Sequence, residues 1–215
     1  FGMYWSFNCG NNWQPFQLNL PITPITDLKV HRQDLVVATQ GRSFWIMDDL
    51  TPLHQLNSET AEADVQLYQP NTAYRTQLRG YRGENVPDNK SKGAVIYYSL
   101  GSDADSVSLS IVDNEGQEVR SFSNANEKDE LSTEAGLQKF VWDMKYPKPD
   151  LIDGAVMSLS YTGGPSAVPG TYQVKLIADG EEKTQPLEIK ADPRWESTTE
   201  DLQTQFNLAV AVRDT

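Results

Sequence analysis

Four aspartates in the first fifty residues, Asp27, Asp34, Asp48 and Asp49, carry the chemistry for general acid and base work. Glycoside hydrolysis by its common route needs two carboxylates about 5 to 10 Å apart across a cleft. Asp48 and Asp49 are consecutive at the end of a strand-like run, so their side chains point to opposite faces and cannot serve one substrate. Their position predicts that they cap the turn into Leu50. Asp103, Asp105, Asp113, Glu127, Asp129 and Glu130 fall in turns or polar loops, where a solvated charge is the ordinary state. His31 and His54 are the two histidines, and neither has a cysteine or carboxylate at a zinc-ligand spacing. The segment 101–106, GSDADS, is too sparse in oxygen ligands for calcium. There is no nucleophile elbow, phosphate loop or dinucleotide fingerprint. This reading assigns no catalytic residue, no metal ligand and no cofactor.

The other chemically suggestive group is positive. Tyr74, Arg75, Arg79, Tyr81 and Arg82 make a local basic and aromatic patch in a chain of net charge -12 and pI ≈ 4.5. The expectation is that these arginines pair with carboxylates across a domain interface, with a ligand patch as the sharper alternative. So acidic a balance leaves no basic stripe for phosphate neutralisation, which excludes nucleic acid as a partner. No segment approaches a membrane span. Cys9 is the single cysteine, so no intrachain disulfide forms.

The elements that must position these residues read as β almost throughout. Five short strands are predicted at 2–7, 13–18, 25–31, 34–39 and 43–48. Residues 51–92 read as a connector, with a helical turn at 58–63, one strand near 73–78 and a Pro-, Gly- and Arg-rich excursion. From 93 to 192 a second β domain is legible. Val107, Leu109 and Ile111 alternate with serines, and Asp179-Gly180 is a strong hairpin signal. Strands are also expected at 93–100, 118–123 and 140–147. Residues 193–215 begin a helical tail, with Ser197 and Glu200 as a capping box ahead of a stripe of Leu202, Phe206, Ala209, Val210 and Arg213. The expected class is mainly β, with terminal propeller-blade strands over 1–50, a β-sandwich over 93–192 and a C-terminal helix.

Two resemblances sharpen this. The segment 6–13, SFNCGNNW, resembles the Asp-box of bacterial neuraminidase repeats, with Ser6, Asn8, Gly10 and Trp13 at the key positions and Asn8 standing for the usual aspartate. On that reading Asn8 accepts turn amides, Gly10 supplies positive φ and Trp13 packs between sheets. The phrase TQGRSFWIMDD, 39–49, is similar to the closing segment of a sortilin-like or neuraminidase-repeat propeller. The second half resembles an immunoglobulin-like domain of the flagellar hook-capping type, on GAVIYYSL, IVDNEGQEVRSF, GLQKFVWDMKYP and VPGTYQVKL.

The resemblance implies the C-terminal region of a secreted or periplasmic bacterial propeller protein, non-catalytic and structural, with a glycan or peptide as ligand. The alternative it implies is part of a glycoside hydrolase whose catalytic residues lie in further N-terminal blades. A neuraminidase gathers an arginine cluster and a tyrosine nucleophile with its acidic partner. The first fifty residues offer Arg32, Arg42 and Tyr4, and a lone tyrosine beside a hairpin is expected to pack. Both ends of the sequence read as cut. Five strands cannot close a propeller, so the expected partners are preceding blades or a second copy, joined through open strand edges.

Overall fold

The computed structural model describes residues 2–76, 90–126, 131–150 and 163–215. The chain is mainly β, with several sheets and a C-terminal helix, as its alternation predicts. It divides into two compact units, Phe1–His54 and Gln55–Thr215.

In the first unit β1 (Tyr4–Trp5) and β2 (Gln14–Pro15) pair antiparallel, with Tyr4 opposite Pro15. They are the paired cores of the two longer runs expected at 2–7 and 13–18. β3 (Ile25–His31), β4 (Asp34–Thr39) and β5 (Phe44–Met47) then form an antiparallel meander. Register places Leu28, Val37 and Trp45 side by side on one face, and Lys29, Val36 and Ile46 on the other. Val37 is 2% exposed and, with Met3, anchors the first face. Leu28 and Val30 on that face, and Phe44 and Ile46 on the opposite one, stay open to solvent. A half-buried sheet ordinarily keeps one polar face; here apolar side chains lie open on both, although Lys29 shares the face of Val36 and Ile46. α1 (Thr51–Gln55) follows, its first amide held by Asp49 Oδ1 at 3.1 Å.

The second unit begins with α2 (Ser58–Glu62), capped reciprocally by Asn57 and Thr60. Its strands are β6 (Val65–Leu67), β7 (Ala73–Arg75), β8 (Ala94–Leu100), β9 (Val107–Val112), β10 (Glu118–Ser123), β11 (Gly136–Trp142), β12 (Gly170–Ala178) and β13 (Glu181–Ala191). They form two sheets, β10-β9-β12-β13-β7 and β11-β8-β6, which share one core. Alternation decides what is inside: Val107, Leu109 and Ile111 of β9 meet Tyr172, Val174 and Leu176 of β12, with Ile96 and Tyr98 of β8 supplied by the other sheet. Each such side chain contributes on the order of 1.5 to 3 kcal/mol by leaving water.

Trp142 is fully enclosed, its indole N–H donating to the Lys145 carbonyl at 3.1 Å. Gly93, at φ 134, lies against that strand. A Cβ there would stand 2.1 Å from the Trp142 carbonyl oxygen, so the contact requires glycine.

Three elements differ from the expectation. The segment 51–92, expected as a connector with one strand near 73–78, supplies that strand as β7, which pairs parallel with β13, and an unexpected one, β6, which pairs antiparallel with β8. The strand expected at 140–147 lies earlier, at β11, because Met144 at φ 56 turns the chain out of the sheet. α3 (Thr199–Arg213) starts one residue later than the expected capping box: Thr198 and Asp201 form it, in place of Ser197 and Glu200. Asp201 can play the reciprocal part because its carboxylate accepts from both the amide and the hydroxyl of Thr198, at 2.8 and 2.7 Å.

Candidate functional site

The turn 6–13 is a closed hydrogen-bond unit. Asn8 Oδ1 accepts from the Asn12 amide at 2.8 Å and from the Ser6 hydroxyl at 3.0 Å, while Ser6 Oγ accepts from the Gly10 amide at 2.9 Å. Gly10 sits at φ 86 and Cys9 at φ 56, so the chain turns through two left-handed residues. The amide thus does the accepting work expected of Asn8, and the loop is held by its own side chains. Trp13 differs from its expected place between sheets. It is 62% exposed and lies beside Gly10 and along a shallow groove with Met3, Tyr4, Ile25 and Leu28. Within this unit nothing described covers its outer face.

The carboxylates of the first unit are occupied structurally. Asp27 Oδ1 accepts from the next amide, that of Leu28, at 2.8 Å. Asp34 Oδ1 accepts from the Asp49 amide at 3.2 Å, and Asp49 Oδ1 from the Thr51 amide, so that of the pair at 48–49 it is Asp49 that takes the expected capping role. His31 and His54 are both exposed. Among the described residues no three His, Cys, Asp or Glu side chains gather where a metal ion could be held.

The basic patch is described in part. Arg79, Tyr81 and Arg82 lie outside the described residues. Tyr74 is exposed at the sheet edge. Arg75 is half-buried, and its contacts differ from the carboxylate pairing expected of it. Nη1 donates to the Ala167 carbonyl at 3.4 Å and Nη2 to Gln205 Oε1 at 2.6 Å. Burial lowers the Arg75 pKa from its ordinary value, although the nearby Tyr172 phenol opposes the shift. Arg75 therefore ties β7 to α3 and serves as a fastener.

The concave feature with convergent polar groups lies at that end of the second unit. A cleft of about 490 Å3 runs between α3 and the sandwich, walled by the turn at 113–117, Tyr146 and the start of β12. At its base the Tyr172 hydroxyl donates to the Val168 carbonyl at 2.8 Å. Burial pushes the Tyr172 pKa well above the ordinary phenol value, and the Tyr146 phenol and Asp113 carboxylate raise it further. Tyr146 is also raised, first by burial and then by Asp113, while Tyr172 and Arg213 counteract. Burial disfavours the phenolate form of both rings. Tyr98, deep in the core, is pushed up to about 12 for the same reason, burial, although its bond to the Ser132 carbonyl works against it.

Against protein-family models and curated proteins the chain finds no match. Sequence reading did not single out this cleft. The signal available was the spacing of Thr199, Gln203, Phe206, Val210 and Arg213, a helical face that is neither apolar nor uniformly charged.

Proposed function

We propose that this chain is a structural and binding region of a larger secreted or periplasmic propeller protein, and that it carries no catalytic centre of its own. The first unit supplies strands to a propeller, and the second is an immunoglobulin-like spacer that docks a glycan or peptide. The observation that carries this reading is the three-stranded sheet with large apolar side chains exposed on both faces. Leu28 and Val30 are 49% and 56% exposed on one face, and Phe44 and Ile46 are 76% and 61% exposed on the other. A sheet of that kind is stable when neighbouring sheets cover both sides, as in a propeller blade.

Its two edges are unlike. β3 carries Asp27 and Lys29, charges that discourage further pairing. β5 reads FWIM, without a charge, and is the edge suited to receive another strand. The self-contained turn at 6–13 supports the same reading, since its polar side chains are spent on holding a hairpin. The resemblance to Asp-box and sortilin-like repeats supplies the propeller and the exported compartment.

The test uses the chain as it stands. Light scattering over a wide concentration range, with binding of an apolar dye, is expected to reveal association or dye uptake. Phe44→Lys with Ile46→Lys is expected to suppress both while leaving the melting of the second unit unchanged. A strictly monomeric chain that takes up no dye at high concentration overturns the proposal.

A further inference from the structure

α3 buries none of its residues, yet one face lines the cleft from end to end. Thr199, Gln203, Phe206, Val210 and Arg213 recur at intervals of three and four, so at 1.5 Å per residue that wall runs about 21 Å. The helix is held at this stand-off by two contacts. The Phe206 ring meets the Tyr146 ring at 4.7 Å between centroids, and Gln205 accepts from Arg75.

Charge decides which ligands are refused. Asp113 and Glu115 line the opposite wall, and the one lining cation, Arg213, donates through Nε to Asp214 at 2.7 Å. The wall is net negative, so a phosphate, a sulfate or an acidic sugar meets repulsion. Topology refuses a second class. β12, which forms part of the floor, is already paired with β9 on one side and β13 on the other, so an extended peptide finds no backbone ladder to join.

What the cleft offers is preset and polar. Asp113 Oδ1 is fixed by the amides of Glu115 and Gln117, each at 2.9 Å, and the Tyr172 hydroxyl by the Val168 carbonyl at 2.8 Å. Asn114, Gln117, Thr171 and Gln203 add amide and hydroxyl groups able both to donate and to accept. The half-buried rings of Tyr146 and Phe206, tilted at 57° to one another, add apolar surface to the cleft lining. Hydroxyl-matching groups beside aromatic faces, in an open trough of negative sign, suit a molecule with many hydroxyls, apolar C–H faces and no charge.

The geometry points to a short neutral oligosaccharide as the occupant of this cleft. This inference rests on the binding half of the proposed function and not on completion of the propeller.

The test is calorimetric titration of the whole chain with cellotetraose, xylotetraose and mannotetraose, with 3'-sialyllactose as the acidic comparison. At least one neutral tetrasaccharide is expected to bind with a Kd in the millimolar range or below, and sialyllactose to bind at least about tenfold more weakly. Gln203→Trp fills the trough from an exposed helix position, and Phe206→Ala removes a ring. Each is expected to weaken binding about tenfold or more while circular dichroism stays unchanged. The inference is overturned if no neutral probe binds at about 10 mM, if sialyllactose binds as well, or if Gln203→Trp binds like the parent chain. None of these outcomes bears on the light-scattering test of the first unit, so the two proposals fail separately.

Discussion

Arg75 and Gln205 are 130 residues apart in sequence and joined by a 2.6 Å hydrogen bond. Together with the Phe206–Tyr146 ring contact, the bond fixes the stand-off of α3, none of whose side chains is fully buried. Removing either partner is therefore expected to loosen the helix before it harms the sheets. Arg75→Ala and Gln205→Ala should each cost about 1 kcal/mol, and hydrogen exchange should speed up for α3 amides while those of β12 keep their protection. Equal acceleration in both elements would show that Arg75 supports the sandwich itself.

Gly93→Ala tests the tightest approach in the second unit. Two penalties coincide there: a non-glycine residue at φ 134 and a Cβ driven against the Trp142 carbonyl. The backbone of β8 or β11 must move, and a loss of about 3 kcal/mol or more is expected in denaturant unfolding. Trp142→Leu, which hollows the core at the same place, should cost a similar amount by a different route, about 3 to 5 kcal/mol. The double variant should lose less than the sum, because both changes act on one contact.

Much of this architecture was legible where information is local. β3 and β4 have the bounds that alternation predicts, and Asp179 and Gly180 adopt the two positive φ values, 47 and 87, that their pairing in a hairpin implies. β6 was hidden because three residues carry no periodicity, and β7, expected as a strand near 73–78, gave no sign of its partner: it lies beside β13, more than a hundred positions on. Trp13 is exposed within its own unit, whose described residues do not supply the covering sheet that an aromatic in a hairpin motif implies. The cleft was least legible. Its walls come from four separate segments, and the role of Arg75 depends on Gln205, a residue without chemical interest until the fold brings them together.

Asp192 gives the chain a defined acid sensitivity. Its enclosed carboxylate receives hydrogen bonds from the Arg194 guanidinium and amide, which hold its pKa down to about 2, below the ordinary 3.8. Because the folded value is the lower one, the pair's stabilisation is complete above the ordinary carboxylate range. It declines as pH falls from about 4 towards 2. Asp192→Asn is expected to lower the melting temperature at pH 7 and to flatten the acid limb, so that the two proteins converge near pH 2. Parallel curves across that window would mean that another carboxylate dominates.

Asn8 can be asked what its missing charge is worth. In Asn8→Asp the same oxygen position would carry a carboxylate, still accepting from the Asn12 amide and the Ser6 hydroxyl. Bonds to an ionised acceptor are stronger than bonds to a neutral one, so the turn should gain about 0.5 to 1 kcal/mol at neutral pH. The gain should vanish below about pH 4, once the new carboxyl protonates and again resembles a neutral acceptor. Asn8→Ala removes the acceptor and should cost about 1 kcal/mol, leaving the Asn12 amide to water. Amide exchange at Gly10 and Asn12 reports the turn directly. If Asn8→Asp left both rates unchanged at pH 7 while Asn8→Ala raised them, charge would add nothing here, and asparagine would serve the hairpin as well as aspartate.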